Sequence, residues 1–273
     1  MTLRLAFSPC PNDTFVFHAL VHGQVPGTPP FAVTYADIDV TNTAAERGEF
    51  DLVKVSYAAL PWLLDGYDLL PCGGALGRGC GPLVLTRDPL DSLAGRTVAV
   101  PGDRTTAYLL MRLWSAEAPP ASVTVVPFSS IMPAVAAGEF DAGLVIHEAR
   151  FTYQRHGLRA LVDLGEWWES DTGLPIPLGA ILARRGAVSP TDATNWVRAS
   201  VRAAWAAPAA SSEYVLSHAQ ELEPDVVAQH IALYVNSFTE NLGAEGYDAA
   251  NALLQRAADA GLVPRVGRLV PFE

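Results

Sequence analysis

The chain has 273 residues, half of them hydrophobic, which is enough to bury a core in one large or two small domains. Its 18 basic and 29 acidic residues give a net charge of −11 without any basic run, which excludes nucleic acid and anionic membranes as expected partners. Three cysteines without a CxxC pair predict neither a disulfide framework nor a zinc site. With no signal segment and no long apolar run, the sequence predicts a cytoplasmic protein.

One four-residue segment, Gly-Glu-Phe-Asp, occurs at 48–51 and again at 138–141, each time before a short apolar strand. The pattern around each copy predicts strand, helix, strand, helix, strand. The first half has predicted strands at 3–7 and 31–35 and a helix at 41–47; the second has strands at 97–100 and 123–126 and a helix at 129–137. This order predicts an α/β protein of two similar lobes facing one cleft, each lobe a mostly parallel sheet flanked by helices.

Two further apolar runs predict strands by which the chain crosses between the lobes. Leu83–Thr86 follows a glycine-rich loop, and Ala180–Arg184 follows a segment rich in proline and glycine. The remainder is predicted to be helical and to pack on the first lobe, with Ser189-Pro190 opening one helix. The expected division is residues 1–84 with 182–273 as lobe 1 and 85–181 as lobe 2, hinged at the two crossovers.

The loop Ser8–Thr14 joins the first strand to the first helix. Since it contains two prolines, we expect the helix to begin near Phe15, with Asn12, Asp13 or Thr14 at its cap.

Thr105 and Thr106 stand at the corresponding loop-to-helix junction of the second half. Two interpretations are open for both junctions. The polar residues cap their helices, or the free backbone N–H groups and hydroxyls also bind an anion such as a substrate carboxylate.

His147 follows the strand that the second Gly-Glu-Phe-Asp introduces. In open α/β sheets, ligands bind beyond the carboxyl ends of strands, which favours a functional over a structural histidine. Ala142 and Gly143 allow close approach of a ligand or of backbone. An imidazole with a pKa of about 6.5 suits general base catalysis near neutral pH. Glu148 and Arg150 either orient the ring or are solvated.

Lys54, Val55 and Ser56 end the strand after the first Gly-Glu-Phe-Asp. A lysine in an apolar strand favours a functional role, the alternative being a side chain that reaches solvent at a sheet edge. Val55 offers only its backbone. Arg78 lies in a glycine-rich loop that lacks the P-loop pattern, and it could pair with a carboxylate.

Several other kinds of site are excluded by pattern. His18 and His22 lack the glutamate of a zincin motif, no Gly-x-Ser-x-Gly elbow is present, and no cysteine has an evident histidine partner. His156, His218 and His230 are expected at ordinary surface or helix positions. Residue patterns alone therefore predict a two-lobed cleft protein with a candidate base and carboxylate-binding loops.

Six longer motifs stand in order along the chain: SPCPNDTF at 8–15, KVSY at 54–57, GGALGRG at 73–79, PGDRTTAY at 101–108, IHEARFTY at 146–153 and GLPIPLGAI at 173–181. Together they resemble the 1,4-dihydroxy-6-naphthoate synthase family of the futalosine route to menaquinone. The resemblance runs from residue 3 to about residue 185, and the helical tail is compatible with it.

The resemblance implies a two-lobed fold like that of type II periplasmic binding proteins, used as an enzyme. It implies a carbon–carbon lyase that converts cyclic dehypoxanthine futalosine into 1,4-dihydroxy-6-naphthoate and releases dihydroxyacetone, with no redox cofactor and no metal. By motif, His147 matches the family's proton acceptor, and residues 54–56 and 105–106 match its substrate-binding segments. The implied partner is a small aryl carboxylate substrate, with no nucleic acid and no membrane.

Other classes of protein fit the pattern less well. A transport-type binding protein for small carboxylates has the same fold but is exported, and no signal segment is evident. A ligand-sensing regulatory domain needs an attached output module. Chorismate dehydratase, a same-fold relative in the same pathway, is not expected to combine the SPCPNDT start with IHEAR. Since a fold does not determine a function, the motifs decide between these alternatives.

Overall fold

The computed structural model describes residues 2–219 and 223–271, which form two β-sheets with helices packed on them. The strands are β1 (Leu3–Phe7), β2 (Phe31–Tyr35), β3 (Leu52–Ser56), β4 (Tyr67–Leu69), β5 (Ala75–Gly77), β6 (Leu83–Thr86), β7 (Thr97–Val100), β8 (Ser122–Val125), β9 (Ala142–Val145), β10 (Arg159–Asp163) and β11 (Ile176–Arg184). The α-helices are α1 (Pro11–Val21), α2 (Ile38–Glu46), α3 (Leu60–Leu63), α4 (Thr106–Trp114), α5 (Phe128–Ala137), α6 (Ala149–Thr152), α7 (Leu164–Thr172), α8 (Pro190–Ala206), α9 (Ser212–His218), α10 (Pro224–Tyr234), α11 (Ser237–Glu240) and α12 (Gly243–Asp259).

The first sheet has the strand order β2–β1–β3–β11–β4, with β5 also paired to β11. β1 is parallel to β2 and to β3, whereas β11 is antiparallel to β3, β4 and β5. In the β11–β3 register, Gly179 lies opposite Ser56 and Ile181 opposite Lys54. β3 is therefore an interior strand of this sheet.

The second sheet repeats this plan in the order β10–β6–β9–β7–β8. β7 is parallel to β8 and to β9, and β6 is antiparallel to β9 and to β10. The α/β class and the two-sheet repeat are thus confirmed. Each sheet is mixed, because the crossover strand enters its new sheet antiparallel to the three parallel strands of the repeat.

The chain leaves the first sheet after Gly77, enters the second at Leu83 and returns to the first at Ile176. Both predicted crossover strands are present, and the second begins before the predicted Ala180. These strands locate the two passages between the sheets. The exact lobe ranges and the hinges stay predictions.

The repeated Gly-Glu-Phe-Asp has one structural role in both lobes. Its glycines follow α2 and α5 with φ of +67° and +80°, a left-handed conformation that glycine adopts without steric cost. Its aspartates then accept backbone N–H groups of the first strand: Asp51 from Arg4 at 2.9 Å, and Asp141 from Thr97 at 2.8 Å. Each copy therefore ends a helix and joins the start of the third strand to the start of the first.

Helix α1 begins at Pro11, so the predicted start near Phe15 is wrong. Proline is favoured at the first helical position, where its fixed φ suits the helix and its missing N–H has no intrahelical partner. Cys10 holds the cap position, and Asn12 and Asp13 belong to the first turn. Both side chains consequently reach the carboxyl end of β1.

The C-terminal helices pack on the first lobe, as predicted. Phe17 and Leu20 of α1 share one core cluster with Val197 and Val201 of α8. Of the helices in the described ranges, none is both long and apolar enough to cross a bilayer.

Candidate active site

A cleft lies between the two sheets, at the carboxyl ends of their parallel strands. Segments after β1, β7 and β9 and the carboxyl end of β3 line it. Its empty volume, including the mouth, is about 590 Å³. Five of the six predicted site residues line this cleft: Lys54, Ser56, Thr105, Thr106 and His147. The sixth, Val55, is buried in the core, so only its backbone is available to a ligand.

His147 lies two residues beyond β9 with a φ of +55°. Among the described residues it is the one non-glycine residue with a positive φ. This conformation costs a residue with a β-carbon roughly 1–2 kcal/mol, and such strain concentrates at functional sites. Burial lowers the pKa of the His147 ring to about 4; the Asp13 carboxylate opposes this shift and the Lys54 ammonium adds to it. The imidazole is therefore neutral at neutral pH.

Gly143 of β9 serves packing rather than ligand access. A β-carbon at this position would lie 2.6 Å from Ile131 and 2.7 Å from Val135, both in α5. The space predicted for a ligand or for backbone is thus occupied by side chains of the helix that supports the strand leading to His147.

Lys54 and Asp13 form an ion pair in the cleft wall, with side chains 5% and 2% exposed. Because β3 is an interior strand, the alternative of a lysine reaching solvent at a sheet edge is wrong. Asp13 also accepts hydrogen bonds from Ser8 Oγ at 2.9 Å and Asn12 Nδ2 at 2.8 Å, which compensates the buried charge. A β-carbon at Gly179 would lie 2.8 Å from Lys54 Cε, so glycine makes room for the pair.

His230 belongs to this network, so the prediction that it occupies an ordinary surface or helix position is wrong. It is fully buried on α10, and its Nε2 lies 2.9 Å from Asn12 Oδ1. Because the other end of that amide donates to Asp13, Oδ1 accepts and His230 Nε2 carries the proton. Burial and the neighbouring His147, whose ring centre is 6.3 Å away, hold the pKa of His230 well below its ordinary value.

The hydroxyls of Thr105 and Thr106 are both engaged within the protein. Thr105 Oγ1 accepts the N–H of Tyr108 at 3.2 Å, which confirms the predicted cap of α4. Thr106 Oγ1 accepts the N–H of Ala58 at 3.2 Å and donates to the carbonyl of Leu178 at 2.8 Å. Because Thr105 takes the N–H of Tyr108, the groups that this helix end offers an anion are the backbone N–H groups of Thr106 and Ala107.

Ser56 is oriented by Asn42 of α2, which the sequence did not identify. Asn42 donates from Nδ2 to Ser56 Oγ at 3.1 Å and accepts the backbone N–H of Ser56 at 2.8 Å. Since Ser56 Oγ accepts here, its own proton is available to a ligand in the cleft.

The remaining polar candidates have different positions. Arg78 lies outside the cleft and pairs with Glu245 at 2.8 Å. Arg150 pairs with Asp163 at 2.5 Å, so the predicted alternative in which it orients the histidine is not supported. Glu148 is buried next to the candidate base.

Comparisons with known proteins agree with this arrangement. A family model described as menaquinone biosynthesis matches residues 3–259. A 1,4-dihydroxy-6-naphthoate synthase of Streptomyces coelicolor is 64% identical over 271 residues, covering 97% of this chain and 96% of the relative. A synthase of the same name from Thermus thermophilus is 49% identical over 264 residues, covering 95% of each.

Solved structures share the fold. A crystal structure of an Archaeoglobus fulgidus protein has a TM-score of 0.90 at 32% identity, covering 96% of this chain and 98% of that one. The alkanesulfonate-binding protein of Xanthomonas axonopodis has a TM-score of 0.71 at 19% identity, covering 97% and 94%. The fold is therefore that of the periplasmic binding proteins, as expected. Matched over nearly its whole length by the menaquinone family model and by two named synthases, the chain belongs to the 1,4-dihydroxy-6-naphthoate synthase family and is an enzyme of menaquinone biosynthesis.

Proposed function

We propose that the enzyme is a carbon–carbon lyase that converts cyclic dehypoxanthine futalosine into 1,4-dihydroxy-6-naphthoate and releases dihydroxyacetone, with His147 as general base. The observation that carries the proposal is the position of this residue. A neutral imidazole on a strained backbone stands at the carboxyl end of β9, inside the cleft between the sheets. The names of the two synthase relatives support the product.

The lowered pKa of His147 prepares the free enzyme for proton abstraction. At an ordinary pKa of about 6.5, roughly a quarter of the imidazole is protonated at pH 7. With a pKa of about 4, nearly all of it is neutral. A substrate carboxylate in the cleft adds a negative charge and raises this pKa again, as Asp13 does. The base therefore becomes stronger when the substrate is bound.

The cleft has complementary groups for an aryl carboxylate. The first-turn N–H groups of α4, the Ser56 hydroxyl and the Lys54 ammonium supply donors and positive charge. Ile38, Ile146 and Leu178 supply apolar surface for the ring system. These groups hold the substrate with its sugar-derived part near His147.

The reaction begins when His147 takes a proton from the substrate and becomes imidazolium. The electron pair left behind breaks the ring carbon–oxygen bond, and the ring oxygen leaves as an alkoxide that takes the proton back from the imidazolium. In a retro-aldol step, a hydroxyl of the three-carbon unit then gives up its proton and becomes the carbonyl of dihydroxyacetone. The electron pair of the broken carbon–carbon bond passes into the ring system, which takes up that proton as it becomes aromatic. Formation of the aromatic naphthalene drives the release of that fragment. Exclusion of water by the closed lobes protects the anionic intermediate from premature protonation.

The test is turnover of cyclic dehypoxanthine futalosine by the purified protein, with dihydroxynaphthoate followed by absorbance. Wild type is expected to form the product, and His147→Ala to lose about 10²–10⁴-fold in kcat while calorimetry shows retained substrate binding. The exposed His156 gives the matched control, since His156→Ala should keep full activity. Full activity of His147→Ala would refute the base. A wild type that binds small carboxylates tightly without turnover would instead indicate a binding protein.

A further inference from the structure

Three side chains that commonly ligate metals converge next to the cleft. One donor atom each from Cys10, His147 and Glu148 lies within 4.8 Å of the other two. Cys10 stands at the start of α1 beside the first sheet, whereas His147 and Glu148 lie between β9 and α6 beside the second. Cys10 and Glu148 are each 5% exposed. The cluster thus joins the two lobes at a protected place.

The donor types match one class of cation. Thiolate, imidazole and carboxylate together suit Zn²⁺ and its analogue Co²⁺, whereas Mg²⁺ and Ca²⁺ prefer oxygen ligands. Donors about 2.0–2.3 Å from a tetrahedral zinc stand roughly 3.5 Å apart. The side chains therefore need to approach by only about 1 Å, which small side-chain rotations supply. Three protein ligands leave one position for water.

We propose that Cys10, His147 and Glu148 form an inhibitory site for a thiophilic divalent cation such as Zn²⁺. His147 lines the cleft, so a cation reaches the cluster from there. Burial raises the pKa of the Cys10 thiol, so the thiol gives up its proton to solvent when the cation binds. The thiolate and the Glu148 carboxylate then balance the charge of the cation, and ligands from both lobes hold the lobes together.

Inhibition follows if His147 is the general base, and this part rests on the proposed function. A cation occupies the lone pair that would accept the substrate proton. It also blocks the approach of substrate to the imidazole. Metal binding itself does not depend on what reaction the enzyme catalyses.

Titration with cobalt chloride tests the site directly. In reducing, metal-free buffer, wild type is expected to bind one equivalent of Co²⁺ and to develop a thiolate-to-cobalt charge-transfer band, which zinc chloride then removes. Cys10→Ser should lose the band. Cys72→Ser should keep it, because Cys72 is buried in the lobe 1 core, where its Sγ contacts the carbonyl of Thr194. Absence of the band in wild type, or its persistence in Cys10→Ser, would overturn the proposal.

Activity supplies the second measurement. Zinc chloride should inhibit turnover by wild type and by Cys72→Ser, and a chelator should restore it. In Cys10→Ser the half-inhibiting concentration should rise at least about tenfold, since even the loss of an outer partner of a ligand costs that much metal affinity. The charge-transfer band without any lyase turnover would refute the proposed function and leave the metal site standing. Turnover without the charge-transfer band would refute the metal site and leave the proposed function standing.

Discussion

The chemistry of His147 depends on its neighbours as much as on the residue itself. Its backbone is held at a φ of +55°, while Asp13 and Lys54 act on its pKa in opposite directions. Burial is the largest cause of the lowered pKa, followed by the opposing effect of Asp13 and then by Lys54. The proton affinity of this imidazole is therefore set largely by how well the cleft excludes water.

The pH dependence of the free enzyme follows from this pKa. A base must be unprotonated, so kcat/KM is expected to stay constant from about pH 8 down to about pH 5 and to fall as the pH drops through the pKa of His147, about 4. Steady-state kinetics across this range measures the profile. NMR titration of the His147 ring protons in wild type, identified by comparison with His147→Ala, checks the assignment independently. A midpoint near 6.5 in both measurements would contradict it.

His230 is expected to stabilise the polar network behind the cleft. His230→Leu leaves the carbonyl of Asn12 buried without its donor, which should cost about 1–3 kcal/mol of unfolding free energy and lower kcat/KM. His230→Gln keeps an N–H donor of similar reach and should recover part of both losses. Urea unfolding and steady-state kinetics of the two variants measure the difference. Equal losses in both would show that the hydrogen bond to Asn12 is unimportant.

At the scale of elements, the two Gly-Glu-Phe-Asp copies differ in the number of strands that each aspartate links. Burial would raise the pKa of Asp51, but hydrogen bonds from Arg4 and Arg184 outweigh it and lower the pKa to about 2. Asp51 therefore links β1, β3 and β11. Asp141 is more exposed and is held by Thr97, whose hydrogen bonds lower its pKa. The same segment thus supports three strands in one lobe and two in the other.

The difference is testable through acid stability. The folded pKa of Asp51, about 2, lies below the value of about 3.9 expected for the unfolded chain, so its contribution is present above pH 4 and lost as the pH falls towards 2. Asp51→Asn should lower the free energy of unfolding by about 2 kcal/mol at pH 7 and by about half as much at pH 3. Asp141→Asn is the matched control and should cost less. Urea unfolding at both pH values measures this, and equal effects of the two changes would contradict it.

At the scale of the whole molecule, Arg104 is one of the residues that connect the two lobes beside the cleft. Arg104, in the loop before α4, pairs with Glu46 of α2 and lies 4.3 Å from the ring centre of Trp62 in α3. Asn42 also donates to the backbone carbonyl of Arg104 at 3.4 Å. This arginine thus connects the cleft-lining loop of one lobe to two helices of the other.

Removing this connection should weaken lobe closure. The cation–π contact and the partly exposed ion pair together amount to about 1–2 kcal/mol, so Arg104→Ala is expected to raise KM by roughly 5- to 30-fold. Small-angle scattering should show a larger radius of gyration for this variant. Arg202→Ala removes an exposed ion pair with Glu240 at the surface of lobe 1 and is the control. An unchanged KM and radius for Arg104→Ala would rule out a role in closure.

What the sequence predicts well are features with a local cause. The bounds of β1 and β7 and the caps at Thr105 and Ser189 follow from neighbouring residues and agree with the structure. The predicted start of α1 is wrong because Pro11 does not break the helix but occupies its first position.

The roles of His230 and Asn42 in the cleft do not follow from the residues next to them in the sequence. His230 meets Asn12 across 218 positions of sequence, and Asn42 is one polar residue on an ordinary helix face. The antiparallel direction of β6 and β11 is likewise set by the path of the chain between sheets. Such features depend on the assembled fold, so patterns of neighbouring residues do not reveal them.

The place of β11 between β3 and β4 has a consequence for synthesis on the ribosome. β3 ends at residue 56, yet its neighbour β11 begins only at residue 176. The second sheet, in contrast, comes from the continuous stretch 83–163. As the chain emerges, the inserted lobe has all its strands before the first lobe has β11, the strand that joins β3 to β4. During translation, the apolar edge of β3 therefore stays unpaired until after the other lobe has all its strands. At this stage the nascent chain is most exposed to wrong strand pairing.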